Sequence, residues 1–223
     1  MSWPRSTEFR RGCADDRLMY HGERFNGYTH AAGAVLAVGG AVALVSQAAV
    51  KGDPWKLLAF GIYGATLVLL YMVSTLYHST RGRTKEFFRK LDYISIYLLI
   101  AGSYTPFGLV TLDQAWGRPL LAAVWALAAV GILQEIFVAR GARVTSLLIY
   151  VIMGWIGVVA LDPLSVGLTM KGLAFVLGSG AIYTAGIVFY LFDERFPHWH
   201  GIWHLFVMGG SAMHYAALLL FVA

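Results

Sequence analysis

Charge is scarce in this chain: Asp, Glu, Lys and Arg together make up 13% of its 223 residues, about half the share found in soluble domains. That shortage excludes an ordinary water-soluble fold, whose surface needs more charge than this. Cysteine is scarcer still. Cys13 stands alone, so no disulfide can close within the chain. No cleavable leader is expected, because the first 28 residues are polar and mixed in charge rather than basic and then apolar. No glycine-rich phosphate loop, low-complexity tract or internal repeat is evident. The net charge of +5 does not point to nucleic acid. Its basic residues sit in short connections between apolar segments rather than in one patch.

What the chain has instead is apolar length. Hydrophobic residues make up 58% of it and fall into blocks of about 20, the number that crosses a hydrocarbon core as a helix. Seven blocks are expected, over 29–50, 55–78, 91–112, 117–139, 143–162, 169–192 and 200–222. The predicted fold is an all-α membrane protein, a seven-transmembrane helix bundle over 29–222 behind a polar tail at 1–28. Paired glycines at 39/40, 154/157 and 178/180 are expected to let helices approach closely. Pro106 should kink the third helix.

Loop charges orient the bundle. The tail and the loops on its side carry 13 Lys and Arg residues, including Arg81, Arg83, Lys85, Arg89 and Lys90, whereas the other side carries four. By the positive-inside rule the N-terminus lies in the cytoplasm and the C-terminus outside, in the inner (plasma) membrane. The same orientation collects the costly residues of the apolar blocks into one layer. Ser74 and His78 end helix 2, Asp92 begins helix 3, His200 and His204 begin helix 7, and His30 opens helix 1.

The spacing in that layer suits a metal. His200 and His204, four residues apart, share one helix face, and His78 can supply a third nitrogen from helix 2. Three protein ligands leave a fourth position for water, the arrangement of catalytic zinc, which lowers the pKa of that water. Asp92 could orient the water or take its proton, with Ser74 hydrogen-bonding beside it. Three histidines also suit other first-row metals. Taken singly, each residue has a plainer reading. A histidine near a helix end often sits at the water interface, Asp92 suits a helix N-terminus, and Ser74 suits a back-bonded helix serine. Three helices delivering His, Asp and His-x-x-x-His to one layer is harder to attribute to interface anchoring.

Other polar residues fit less well. His214 lies about 15 Å deeper than His204 on helix 7, too far to share an ion, and reads as a packed histidine or a pocket wall. His198 points to another face, in a loop with Pro197 at the first helical position. His21 belongs to the polar tail. Glu135 in helix 4 either snorkels or faces the core, with a supporting role at the metal open to it.

The motifs S-T-L-Y-H (74–78), Asp92 and H-G-I-W-H (200–204) resemble those of the progestin and adipoQ receptor family, and more narrowly its bacterial branch, the hemolysin III proteins. The runs E-R-F-N-G-Y-T-H (23–30) and I-W-H-L-F-V-M-G-G-S-A-M-H (202–214) are similar to the opening of that family's first helix and to its last helix. The resemblance implies a Zn2+ site on His78, His200 and His204. It implies that Asp92 holds the water, with Ser74 beside it. It further implies an inside N-terminus and ceramidase-like chemistry, with a membrane lipid as substrate or ligand. Hydrolysis of a lipid amide or ester is therefore the leading expectation. Two alternatives stand beside it: a lipid-responsive receptor or sensor with structural zinc, in which His30 could complete a fourth ligand, and a pore-forming cytolysin or transporter.

Overall fold

Aspartate, threonine and glycine mark most of the helix ends. The computed structural model describes residues 23–138, 143–196 and 198–223. The expectations for Cys13, His21, Pro197 and most of the polar tail lie outside the described residues. Among those residues, seven helices are long and apolar enough to cross a membrane. They are α1 (Arg24–Lys51), α2 (Pro54–Ser79), α3 (Gly82–Thr111), α4 (Gln114–Phe137), α5 (Val144–Gly167), α6 (Met170–Leu191) and α7 (Trp199–Phe221).

Their boundaries follow local chemistry. Gly52 ends α1 in the left-handed region at φ 67, where a side chain would be strained, and its N–H caps the last carbonyls of the helix. Asp53 then accepts hydrogen bonds from the backbone N–H groups of Trp55 and Lys56, with Pro54 at the first helical position of α2. Asp113 caps α4 and Thr169 caps α6 in the same way.

Two helices begin earlier than their apolar blocks suggest. α1 starts at Arg24, so His30 lies nearly two turns inside it rather than opening it. α3 starts at Gly82, so Asp92 lies almost three turns inside rather than at its start. Hydropathy marks where lipid ends, whereas backbone hydrogen bonds continue the helix into the polar layer through R-T-K-E-F-F-R-K.

Two helices are also broken. Pro106 has no N–H to donate, and α3 widens after it into a π turn over Phe107–Thr111, closed by Leu112 N–H donating to the Phe107 carbonyl. α5 tightens into a 3-10 stretch over Ile156–Ala160. The Tyr104 hydroxyl of α3 fills that break, donating to the Gly154 carbonyl and accepting from Gly157 N–H. Where a kink was expected at Pro106, the helix changes to a π turn. The break in α5 was not foreseen, because its residues are uniformly apolar.

Each helix packs on its successor, and α7 returns to α1. α2 and α3 are the most enclosed, with about half of each apolar window buried, whereas α1, α5 and α6 bury 22%. The outward faces are strongly apolar, including Val35, Phe137 and Val166, all well exposed. In water such a surface would aggregate; against acyl chains it is the solvated surface. Of the paired glycines, Gly40, Gly157 and Gly178 do sit against Tyr215, Tyr104 and Met213, closer than a Cβ would tolerate. Gly39 and Gly154 face open space, and Gly180 has ordinary room for a Cβ.

Candidate metal centre

The helical spacing of S-T-L-Y-H puts Ser74 and His78 on the inner face of α2, each 1% exposed. H-G-I-W-H does the same for His200 and His204 on α7. Donor atoms of His78, His200 and His204 lie within 4.8 Å of one another. Their ring centroids are 4.7 to 5.2 Å apart. These three buried or half-buried histidines form a cluster able to bind a metal ion.

The outer partners say how they would bind it. His78 Nδ1 lies 2.6 Å from Glu23 Oε2, and His200 Nδ1 lies 2.6 Å from Asp193 Oδ2. His204 Nδ1 lies 3.2 Å from the Asn26 backbone carbonyl. All three acceptors face Nδ1, so each ring carries its proton there and leaves the Nε2 lone pair free. His78 Nε2 is fully buried and has no hydrogen-bond partner. An orphaned buried acceptor is costly unless something fills the gap. A cation drawn to three imidazole nitrogens fits that need, and the carboxylate–histidine pairs match the outer partners common at metal sites.

The N-terminal end of α1 builds much of this shell. Gly201, between the two α7 histidines, lets α1 come in close: a Cβ there would meet Phe25 at 2.1 Å and Asn26 Oδ1 at 2.9 Å. Glu23 then ties three helices together. It bonds His78 of α2, accepts from Lys85 Nζ of α3 at 2.9 Å, and accepts from Asn26 Nδ2 at 3.2 Å. Burial alone would raise the pKa of Glu23. Hydrogen bonds from His78 and Lys85, with the positive charge of Lys85, outweigh it and hold the carboxyl well below the usual carboxylate range.

Asp92 lies beside the Ser74 hydroxyl and close enough to His200 for their charges to interact. It also lines a partly open cavity of about 200 Å³. The lining runs along α3 from Asp92 to Phe107, about 22 Å at about 1.5 Å per residue. Apolar side chains such as Ile96, Leu99, Leu147, Val176 and Val207 make up most of its wall. His214 is part of that wall and is also packed, its Nε2 at 3.2 Å from the Ser103 carbonyl and its Nδ1 at 3.5 Å from Ser179 Oγ. Phe107 N–H turns to Tyr104 at the break in α3, which leaves the Ser103 carbonyl available to this histidine.

Other expectations fare differently. His30 does not join the three clustered histidines; its ring stacks on His204. Glu135 faces the core, accepting from Ser146 of α5, and is no member of the cluster. His198 is exposed at φ 68 just before α7 begins at Trp199. Glu23 and Asp193 were missed as supporting residues. Glu23 does open the run E-R-F-N-G-Y-T-H, whereas Asp193 is marked only as a carboxylate in a polar run adjoining a histidine-bearing helix. Replacing Glu23 by Gln or Asp193 by Asn is expected to weaken metal affinity about 10- to 100-fold. Titration with a competing chelator would read this directly, and wild-type affinity in both variants would refute the supporting role.

Comparison with known proteins gives a consistent answer. The family model described as "Haemolysin-III related" matches residues 18–215. "Hemolysin-3" of Bacillus cereus is 43% identical over 198 residues, covering 88% of this chain and 90% of its own. The "Hemolysin-3 homolog" of Bacillus subtilis (strain 168) is 39% identical over 197 residues, covering 88% and 92%. "Monocyte to macrophage differentiation factor" of Homo sapiens is 32% identical over 205 residues, covering 86% and 81%.

Proposed function

The chain belongs to the haemolysin-III-related family of multi-pass membrane proteins, and from that premise we propose that it is a zinc-dependent hydrolase of a lipid amide or ester. One observation carries the reading: a carboxylate beside the three-histidine cluster, Asp92, also lines a long apolar cavity. A cluster serving structure alone has no need of a hydrophobic cavity reaching the carboxylate beside it.

His78, His200 and His204 would hold the ion through the nitrogens that Glu23, Asp193 and Asn26 leave free. When bound, zinc supplies a Lewis acid and a water of lowered pKa. The chain's own groups do the rest. The cavity takes the acyl chain and excludes bulk water from its carbonyl end. A carboxylate oxygen of Asp92 accepts the proton as water adds to the carbonyl carbon. It returns that proton to the leaving nitrogen or oxygen as the C–N or C–O bond breaks. The Ser74 hydroxyl, beside Asp92, would donate to the carboxylate and aim it. With the N-terminus in the cytoplasm, this chemistry sits just inside the cytoplasmic face of the inner membrane.

A sensor with structural zinc calls for a closed shell of four ligands, and His30 stacks on His204 rather than joining the converging donor atoms, which favours an open position instead. The name of the Bacillus relatives favours a second reading, a pore-forming cytolysin. Incubating purified, zinc-loaded protein with ceramide, a fatty acid amide and a lysolipid separates the two. Release of free fatty acid from at least one lipid, abolished by a chelator, is the expected result. Full zinc occupancy without release from any of the three would overturn the hydrolase, and membrane conductance in the same preparation would put the pore in its place.

A further inference from the structure

The histidine left out of the cluster sits in an unusual environment. His30 is 3% exposed, and neither of its ring nitrogens has a hydrogen-bond partner. Its orientation is set by rings instead. It stacks on His204 with centroids 3.6 Å apart and meets Tyr71 edge-on at 5.1 Å. Like Asp92, it lines the cavity. A neutral imidazole offers one donor and one acceptor, and burying both unpaired is costly. The fold thus keeps a locked, unsatisfied polar group on the wall of an apolar tunnel, at the end where the chemistry would occur.

We propose that His30 binds the polar head of the lipid, hydrogen-bonding the amide group whose acyl chain fills the cavity. This rests on the lipid hydrolase reading and adds to it the residue that positions the substrate. The alkyl chain is held by apolar wall, which cannot fix how far it slides. A hydrogen bond at His30 sets that depth and brings the carbonyl beside Asp92. An amide, with its own donor and acceptor, satisfies an imidazole in either tautomer, whereas an ester offers only acceptors.

The test compares hexadecanamide with hexadecane as probes, in zinc-loaded protein carrying Asp92→Asn so that turnover does not consume the amide. The parent is expected to bind the amide more tightly than the alkane. His30→Phe, which keeps a flat ring in the stack, is expected to weaken amide binding about tenfold, the worth of one buried hydrogen bond. Alkane binding and zinc content should be unchanged. His30→Gln, which keeps a donor and an acceptor, should restore part of the loss. Equal loss for both probes would make His30 a matter of shape. Loss of zinc would make it a metal ligand, and no amide preference in the parent would remove the need for it. Each of these outcomes overturns the proposal. Failure of the hydrolase reading looks different: no fatty acid is released by the unsubstituted chain, while His30-dependent amide binding persists.

Discussion

Purified His200→Ala protein is expected to lose its bound metal. His200 is one of only three histidines among the described residues whose donor atoms converge within 4.8 Å. Removing it leaves two imidazoles, and two ligands from different helices hold an ion poorly. Loss of an outer partner alone costs about 10- to 100-fold in affinity, so loss of a ligand should cost at least about 100-fold. Asp193 would also be left without the ring it holds at 2.6 Å. The measurement is elemental analysis of wild-type and variant protein purified side by side. His198→Ala is the control, because His198 is exposed two residues away and lies outside the histidine cluster. It should keep full metal content. Unchanged zinc in the His200→Ala protein would sink the proposed site.

Asp92→Asn is expected to separate catalysis from metal binding. The carboxamide is nearly the same shape as the carboxylate and can still accept a hydrogen bond from Ser74. It cannot take a proton from water. General base catalysis is worth about 10²- to 10⁴-fold, so turnover should fall by that factor. Metal content should stay at the wild-type level, since Asp92 is absent from the histidine cluster. Fatty acid release and elemental analysis on one preparation read both quantities. Near-normal turnover would show that another group handles the proton. Metal loss would show that Asp92 is a ligand, and the open fourth position would have to be given up.

The two largest effects both fall on residues that the sequence already singled out, and the helical period is the reason. In S-T-L-Y-H and H-G-I-W-H a four-residue spacing places two side chains on one face whatever the rest of the chain does. Loop charge then assigns an end to each helix. The supporting residues had no such signal. Glu23 reaches His78 across 55 positions of sequence, and the Asn26 carbonyl reaches His204 across 178. Each contact depends on how α1 lies against α2 and α7, which Gly201 permits by having no side chain. His30 shows the same limit from the other direction. Its depth made it a candidate fourth ligand, but depth says nothing of rotation about the helix axis, and the ring stacks on His204 instead.

By itself the sequence determined the seven helices, which of their residues are expensive to bury, and which of those share a face. The physical reason is that lipid offers no hydrogen bonds. Each spanning segment must satisfy its own backbone, so its structure is local and legible as an apolar block with a helical period. Only the tertiary structure decided where α1 and α3 begin, that α5 breaks around Tyr104, that carboxylates orient two of the three histidines, and that a cavity runs to Asp92. These depend on the approach of side chains far apart in sequence, and packing between helices in lipid follows small residues and single polar contacts that leave no periodic trace.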